Sequence, residues 1–187
     1  MANKDAAFGL RPIGKVGQNR DNMGLSEYNV SDSATAIYFN DPLTIDATGT
    51  VKVSGSTDSL LGSLNGIFYT DANTSKPTYA NHLAASNTAT DIVAFVADDP
   101  YERFEIQCNS TANVNDIFQC TDIEYTAGDS ANYVSKVEAN KATFDTTSAQ
   151  LKVVGISKDP DNSDTSSANV NLVTIINEHV FKQTTGV

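Results

Sequence analysis

The sequence predicts an all-β chain: an antiparallel sandwich or barrel with an extended N-terminal arm. Three observations predict it. Short alternating or apolar runs recur at intervals of roughly 10–20 residues, the rhythm of strands joined by turns rather than of βαβ units. No stretch of eleven or more residues carries the i, i+3, i+4, i+7 apolar stripe of a helix. Charged residues make up only 19% of the 187, and Ser, Thr, Asn, Asp and Gly fill the intervals between runs, as turn-rich chains require.

The elements follow in order. Residues 1–24 show neither period: Phe8, Leu10, Ile13 and Val16 stand singly among glycines and charges, which predicts an extended arm on a body of residues 25–187. The body is strand-like from Ser26. Ala34–Phe39 is β-rich, and Thr50–Ser54 sets Val51 and Val53 on one face. Leu64–Thr70 is a strand with a bulge at Gly66. Ile92–Ala97 is continuously apolar, which predicts burial on both faces. In Arg103–Gln107, Phe104 and Ile106 face inward and Arg103, Glu105 and Gln107 outward. Ile117–Tyr125 holds one or two strands; Tyr133–Val137, Leu151–Ile156 and Asn169–Asn177 complete the set. A short turn capped by Ser110 through Asn113–Asp116 is the one helical signal.

Three Asp–Pro pairs, Asp41–Pro42, Asp99–Pro100 and Asp159–Pro160, read as strand stops, because proline cannot donate to a ladder and Asp before it favours a turn.

Charge divides the chain unevenly. The first twenty residues carry Lys4, Arg11, Lys15 and Arg20 against Asp5 alone, a net +3, whereas the chain as a whole is −11. An acidic body repels phosphates, which argues against nucleic-acid binding. No run approaches the roughly 18 apolar residues of a membrane span, and residues 1–20 lack the apolar segment of a secretory signal. A soluble protein made in a cytoplasm is expected, with no membrane partner.

Catalytic and metal constellations are weak. Cys108 and Cys120 supply two thiols where a zinc site needs four ligands, so they read as a pair of small buried hydrophobes, with a disulfide across neighbouring strands as the alternative. His82 reads as a surface residue and His179 as a structural one. No phosphate loop, dinucleotide fingerprint or nucleophile elbow occurs. Asp98, Asp99, Glu102 and Glu105 surround one turn, but turn carboxylates projecting into water are commoner than the paired acids of a glycosidase. Asp159–Asp164 has alternate oxygens like a calcium loop, yet Asp164 stands where glycine is needed and Val170 where glutamate is. The expectation is a non-enzyme without cofactor or metal.

Ala7–Phe8–Gly9–Leu10–Arg11–Pro12, Asp98–Asp99–Pro100, Phe104–Glu105–Ile106–Gln107 and Asn177–Glu178–His179 together resemble a group of tailed-bacteriophage virion proteins regarded as capsid decoration, or cement, proteins. Ala7 stands where that pattern has proline. The resemblance implies a β-rich homotrimer on the outer surface of a capsid, made in the host cytoplasm, with the major capsid protein as partner and neither activity nor ligand. On that expectation Phe8, Leu10, Pro12 and Ile13 fill a groove on the capsid or a neighbouring subunit, and Arg11, Lys15 and Arg20 meet acidic groups or carbonyls. The alternative is a carbohydrate- or receptor-binding module of a tail or surface fibre, using exposed tyrosines such as Tyr69, Tyr79, Tyr101 and Tyr125; the absence of Trp weighs against it.

Overall fold

In a computed structural model, which describes residues 2–17, 24–31, 35–145 and 147–184, the chain is all-β. The described residues form no α-helix, and antiparallel sheets pack together without closing into a barrel. Arg20 and Ala34 lie outside the described residues.

One sheet has five strands, ordered β1 (Arg11–Lys15), β8 (Glu102–Gln107), β13 (Asn171–Ile176), β12 (Leu151–Ile156) and β9 (Cys120–Thr121). The second runs β2 (Ser26–Asn29), β7 (Val93–Ala97), β5 (Gly62–Thr70), β3 (Pro42–Ile45) and β4 (Val51–Val53), with β6 (Pro77–Ala80) also on β5. A two-stranded ribbon joins β10 (Ile123–Glu124) to β11 (Glu138–Ala139). Every pairing between these strands is antiparallel.

Each large sheet has its own core. Leu10, Leu60, Phe104, Ile106, Ile123, Leu151, Val153 and Leu172 belong to one; Ile37, Leu43, Val51, Leu61, Leu64, Ile67, Ala94 and Val96 belong to the other. Leu60 and Leu61 are consecutive, fully buried, and divided between the two. The backbone fixes that division. Leu60 pairs with the C-terminal segment, its N–H donating to Glu178 O and its carbonyl accepting from Val180 N, both at 2.9 Å, while Leu61 N donates to Leu43 O at 2.7 Å. Alternate residues of an extended chain point to opposite sides, so one peptide step serves both cores. Gly62 follows because a Cβ there would collide with the Ala97 carbonyl.

Several expectations need correction. Pro42 opens β3 instead of stopping a strand; the first position of a strand is one of the places where a missing N–H is tolerated. Residues 35–39 and 133–137 make isolated bridges (Ile37 with Leu83, Phe39 with Val134), not strands. The turn at Val114–Asp116 is capped by Asn113, not Ser110. In β7 only one face is fully buried, since Val93 and Phe95 remain half-exposed. Cys108 and Cys120 are buried free thiols, as small hydrophobes would be.

The N-terminal segment departs furthest from expectation. Residues 11–15 form a strand on the body's own sheet, and Leu10 is 0% exposed within the first core. Gly9 makes this possible: its φ is +74°, and a side chain there would collide with Asn40 O and Ser135, beside the bond from Leu10 N to Asn40 O at 2.9 Å. The segment therefore also covers the outer face of β8. Glu105 and Gln107 are buried, not outward-facing, because Arg11 meets the first and the backbone of Lys4 and Ala6 the second.

Candidate interaction surface

The β1–β8 ladder pairs Arg11 with Glu105, Pro12 with Phe104, Gly14 with Arg103 and Lys15 with Glu102, its register shifting between Pro12 and Gly14. Ile13 falls at that shift. A bulge breaks the alternation of a strand and re-aims its side chains, and Ile13 stands 46% exposed although its sheet is well formed. The strand lies at the sheet edge. Pro12, the bulge and the flanking basic residues Arg11 and Lys15 are the devices that keep such an edge from adding further strands.

The predicted arm residues thus divide. Leu10 is core. Arg11 ion-pairs with Glu105 and lies with its guanidinium 4.5 Å from the centroid of the Phe8 ring, so half-buried Phe8 is spent within the chain. Pro12 is half-buried. Lys15 bonds Asp99 at 2.6 Å. Of the apolar anchors expected there, Ile13 remains outward.

Residues remote in sequence join it. Val16, also exposed, donates its N–H to Tyr101 O at 2.8 Å. Tyr101 is exposed, and the Lys182 ammonium lies 5.1 Å from its ring centroid. Phe181, beside Lys182, is exposed as well. Leu25, again exposed, lines a cavity of about 220 Å³ together with Pro12, Ala97 and Glu102. Ile13, Val16, Leu25, Tyr101 and Phe181 therefore surround one corner where β1, the β7–β8 turn and the C-terminal segment meet. Phe181 and Leu25 carry no local sequence signal; long-range pairing brings them here.

The acidic turn sits beneath this corner, and its carboxylates do not project into water as expected. Asp98 accepts from Ser26 Oγ at 2.9 Å and Tyr28 Oη at 2.5 Å; burial, then the Asp98 carboxylate, pushes the Tyr28 phenol up. Asp99 Oδ1 accepts the Tyr101 N–H, and the bond from Lys15 holds its carboxyl below the usual range. Glu102 is 4% exposed, and burial raises its pKa against the pull of Lys15 and the Gly14 N–H. His179 is buried, its Nδ1 accepting the Phe181 N–H at 3.1 Å. Burial, with Lys182 nearby, lowers it to about 4, so it is neutral at physiological pH.

The other predicted turns are structural. Asp99–Pro100 does separate two strands, and it carries the chain from one sheet to the other. Asp159–Pro160 follows β12, where Asp159 Oδ1 accepts the Asp161 N–H. Asp164 Oδ1 accepts from Ser166, so the calcium-like loop spends carboxylate oxygens on its own turns. Among the described residues no cluster of three or more His, Cys, Asp or Glu is disposed to hold a metal, and no helix is long and apolar enough to cross a membrane.

A separate aromatic row lies on the second sheet. Tyr79 is 75% exposed, with Phe68 at 4.8 Å and Phe95 at 6.4 Å between ring centroids. His82, half-buried, stacks on Tyr133 at 3.7 Å. No family model matches the chain, nor does any curated protein or solved structure.

Proposed function

We propose that this chain is a structural virion protein that binds the outside of a bacteriophage capsid and staples neighbouring capsomers, as a homotrimer whose partner is the major capsid protein. The observation that carries the proposal is the exposed apolar corner of Ile13, Val16, Leu25, Tyr101 and Phe181; the motif resemblance at residues 7–12, 98–100, 104–107 and 177–179 supports it. Apolar area removed from water is worth on the order of 25 kcal/mol per 1,000 Å² before ordering costs, which consume most of it. Repetition over a symmetric shell adds avidity. The contact is made by a rigid corner of the body rather than by a free arm, because residues 11–15 are already a strand of the body's own sheet and Asn3, Lys4, Ala6 and Leu10 are bonded to the body. The acidic remainder faces solvent and keeps particles apart.

The test is co-sedimentation of the Ile13→Ser/Val16→Ser double variant with undecorated capsids. Binding should fall at least tenfold while the thermal unfolding curve stays in place; undiminished binding refutes the proposal. Removing residues 1–20 is a poorer test, since it strips Leu10 from the core. Light scattering of the free protein tests the trimer.

The Tyr79 row supports a second function, a carbohydrate- or receptor-binding module, because exposed aromatic faces are what sugar rings stack on. A glycan array with no ligand lost on Tyr79→Ala discounts it.

A further inference from the structure

The Asp–Pro bonds at residues 41, 99 and 159 are chemically unequal in the fold. Such a bond can be cut by its own residue. The side-chain carboxyl attacks the Asp carbonyl carbon, a five-membered closure that covalent connectivity keeps within reach, and passes its proton to the prolyl nitrogen. The step needs a protonated carboxyl with a free oxygen. Asp99 fails on both counts: Lys15 and the Tyr101 N–H take one oxygen each, and the Lys15 bond holds its carboxyl below the usual range. Asp159 has no free oxygen, since Oδ1 accepts the Asp161 N–H and Oδ2 accepts from Asn171 Nδ2. Asp41 meets both conditions. It is fully buried, its Oδ1 has no hydrogen-bond partner among the described residues, and burial pushes its carboxyl up to about 6. A buried oxygen left unsatisfied in a native fold calls for an explanation, and a reactive role is one.

We propose that the Asp41–Pro42 peptide bond is a self-cleavage site, with the Asp41 carboxyl as both nucleophile and proton donor. Oδ1 attacks the Asp41 carbonyl carbon, the carboxyl proton passes to the Pro42 nitrogen, and the C–N bond breaks. A cyclic aspartic anhydride is left on Asp41 and a secondary amine on Pro42. Water then opens the anhydride, so one peptide bond and one water become a C-terminal aspartic acid and an N-terminal proline; nothing is oxidised or reduced. The neighbouring bonds hold the reacting groups in place. The Tyr38 N–H donates to Asp41 Oδ2 at 2.7 Å and leaves Oδ1 to react. The Leu64 N–H donates to the Asp41 carbonyl oxygen at 3.0 Å, where negative charge develops as the carbon becomes tetrahedral. Leu64 O accepts the Asn40 N–H at 2.9 Å, which fixes the residue before the bond as well. Pro42 opens β3 without an N–H of its own, so protonating its nitrogen breaks no ladder bond. Residues 1–41 stay attached through β1 on β8 and β2 on β7, so the product is a nicked fold. This activity is separate from capsid binding and is tested without it.

The test incubates the full chain at about pH 5, where the Asp41 carboxyl keeps its proton, and reads intact masses after denaturation. The expected products are residues 1–41 and 42–187, their masses summing to that of the parent plus one water. They should form at least tenfold faster than products of a cut after Asp99 or Asp159, at a rate that dilution leaves unchanged. In urea, which removes the environment of Asp41, that advantage should disappear. Asp41→Asn has no carboxyl proton to pass on, and Pro42→Ala keeps the carboxyl but replaces the tertiary amide; each should slow the cut at least tenfold, with folding checked by thermal unfolding. No cut after Asp41 in the folded wild type overturns the proposal, as do equal rates at the three bonds or a rate no lower in urea. A cut that either variant leaves unslowed, or that quickens with protein concentration as an outside protease would, also overturns it.

Discussion

The Asn3 side chain pairs with the backbone of Asp164 as a peptide group would: Nδ2 donates to Asp164 O at 2.8 Å, and Oδ1 accepts the Asp164 N–H at 3.1 Å. Gln107 repeats the device nearby, donating from Nε2 to Lys4 O and accepting the Ala6 N–H at Oε1, both at 3.0 Å. Asn162 Nδ2 adds a second bond to Lys4 O at 2.7 Å. Three neutral carboxamides thus stand in for strand partners where the leading residues have none. A carboxamide offers the donor and acceptor of a peptide group, so it satisfies backbone without placing another charge on an acidic body.

Gln107→Ala should destabilise the fold by about 1–3 kcal/mol, because it leaves the Ala6 N–H without its acceptor and Lys4 O with one donor fewer. Asn3→Ala should cost less, since water can replace bonds at that more exposed end. Hydrogen exchange distinguishes this from general loosening: the Ala6 amide should lose protection in Gln107→Ala while β12 amides keep theirs. Unchanged exchange at Ala6 would show that the clasp does not hold the segment.

Two neighbouring leucine-sized side chains in the leader should behave oppositely. Leu10→Ala should cost about 2–5 kcal/mol, the range for deleting a fully buried Leu, because Leu10 is wholly enclosed with Leu60 and Phe104 in its core. Ile13→Ala, at an exposed bulge, should stay within about 0.5 kcal/mol. Urea unfolding midpoints measure both. Equal effects would mean that residues 8–13 do not sit on the body as described.

The sequence made legible what is local. Leu151–Ile156 is a strand over the predicted span, because a short run rich in β-branched residues between turn residues has one dominant local solution. Glu105 and Gln107 read as outward because their own run alternates; what buries them comes from residues 4–11, roughly a hundred positions earlier, and no local pattern encodes that. The candidate corner was hidden for the same reason. Ile13, Tyr101 and Phe181 are scattered over the chain and meet through the β1–β8 register and the Leu60–His179 bridge. The leader's charge imbalance was visible and misleading: Arg11 and Lys15 are spent on Glu105 and Asp99 of the same chain.

Asp41 should make stability depend on pH. It is fully buried, and burial pushes its carboxyl from the ordinary 3.8 up to about 6, with the Ser135 hydroxyl and the Tyr38 N–H pulling the other way. Between those values the folded state holds a proton that the unfolded chain has released, so stability falls as pH rises through the window. A shift of this size corresponds to on the order of 3 kcal/mol. Asp41→Asn keeps an acceptor for Tyr38 and cannot ionise. Its stability relative to wild type should therefore grow between about pH 4 and 6.5 and level off above. Parallel stability curves for the two proteins would refute this.

Phe118 should be replaceable without loss of stability. Its φ is +72°, its ring is 69% exposed, and its N–H donates to Val153 O at 2.8 Å. The left-handed region costs an ordinary L-residue roughly 1–2 kcal/mol, and Asn tolerates it better. Phe118→Asn keeps the backbone bond, so the variant should be as stable as wild type or up to about 1 kcal/mol more stable, by thermal unfolding. A loss above about 1 kcal/mol would mean that the ring contributes packing that its exposure does not suggest.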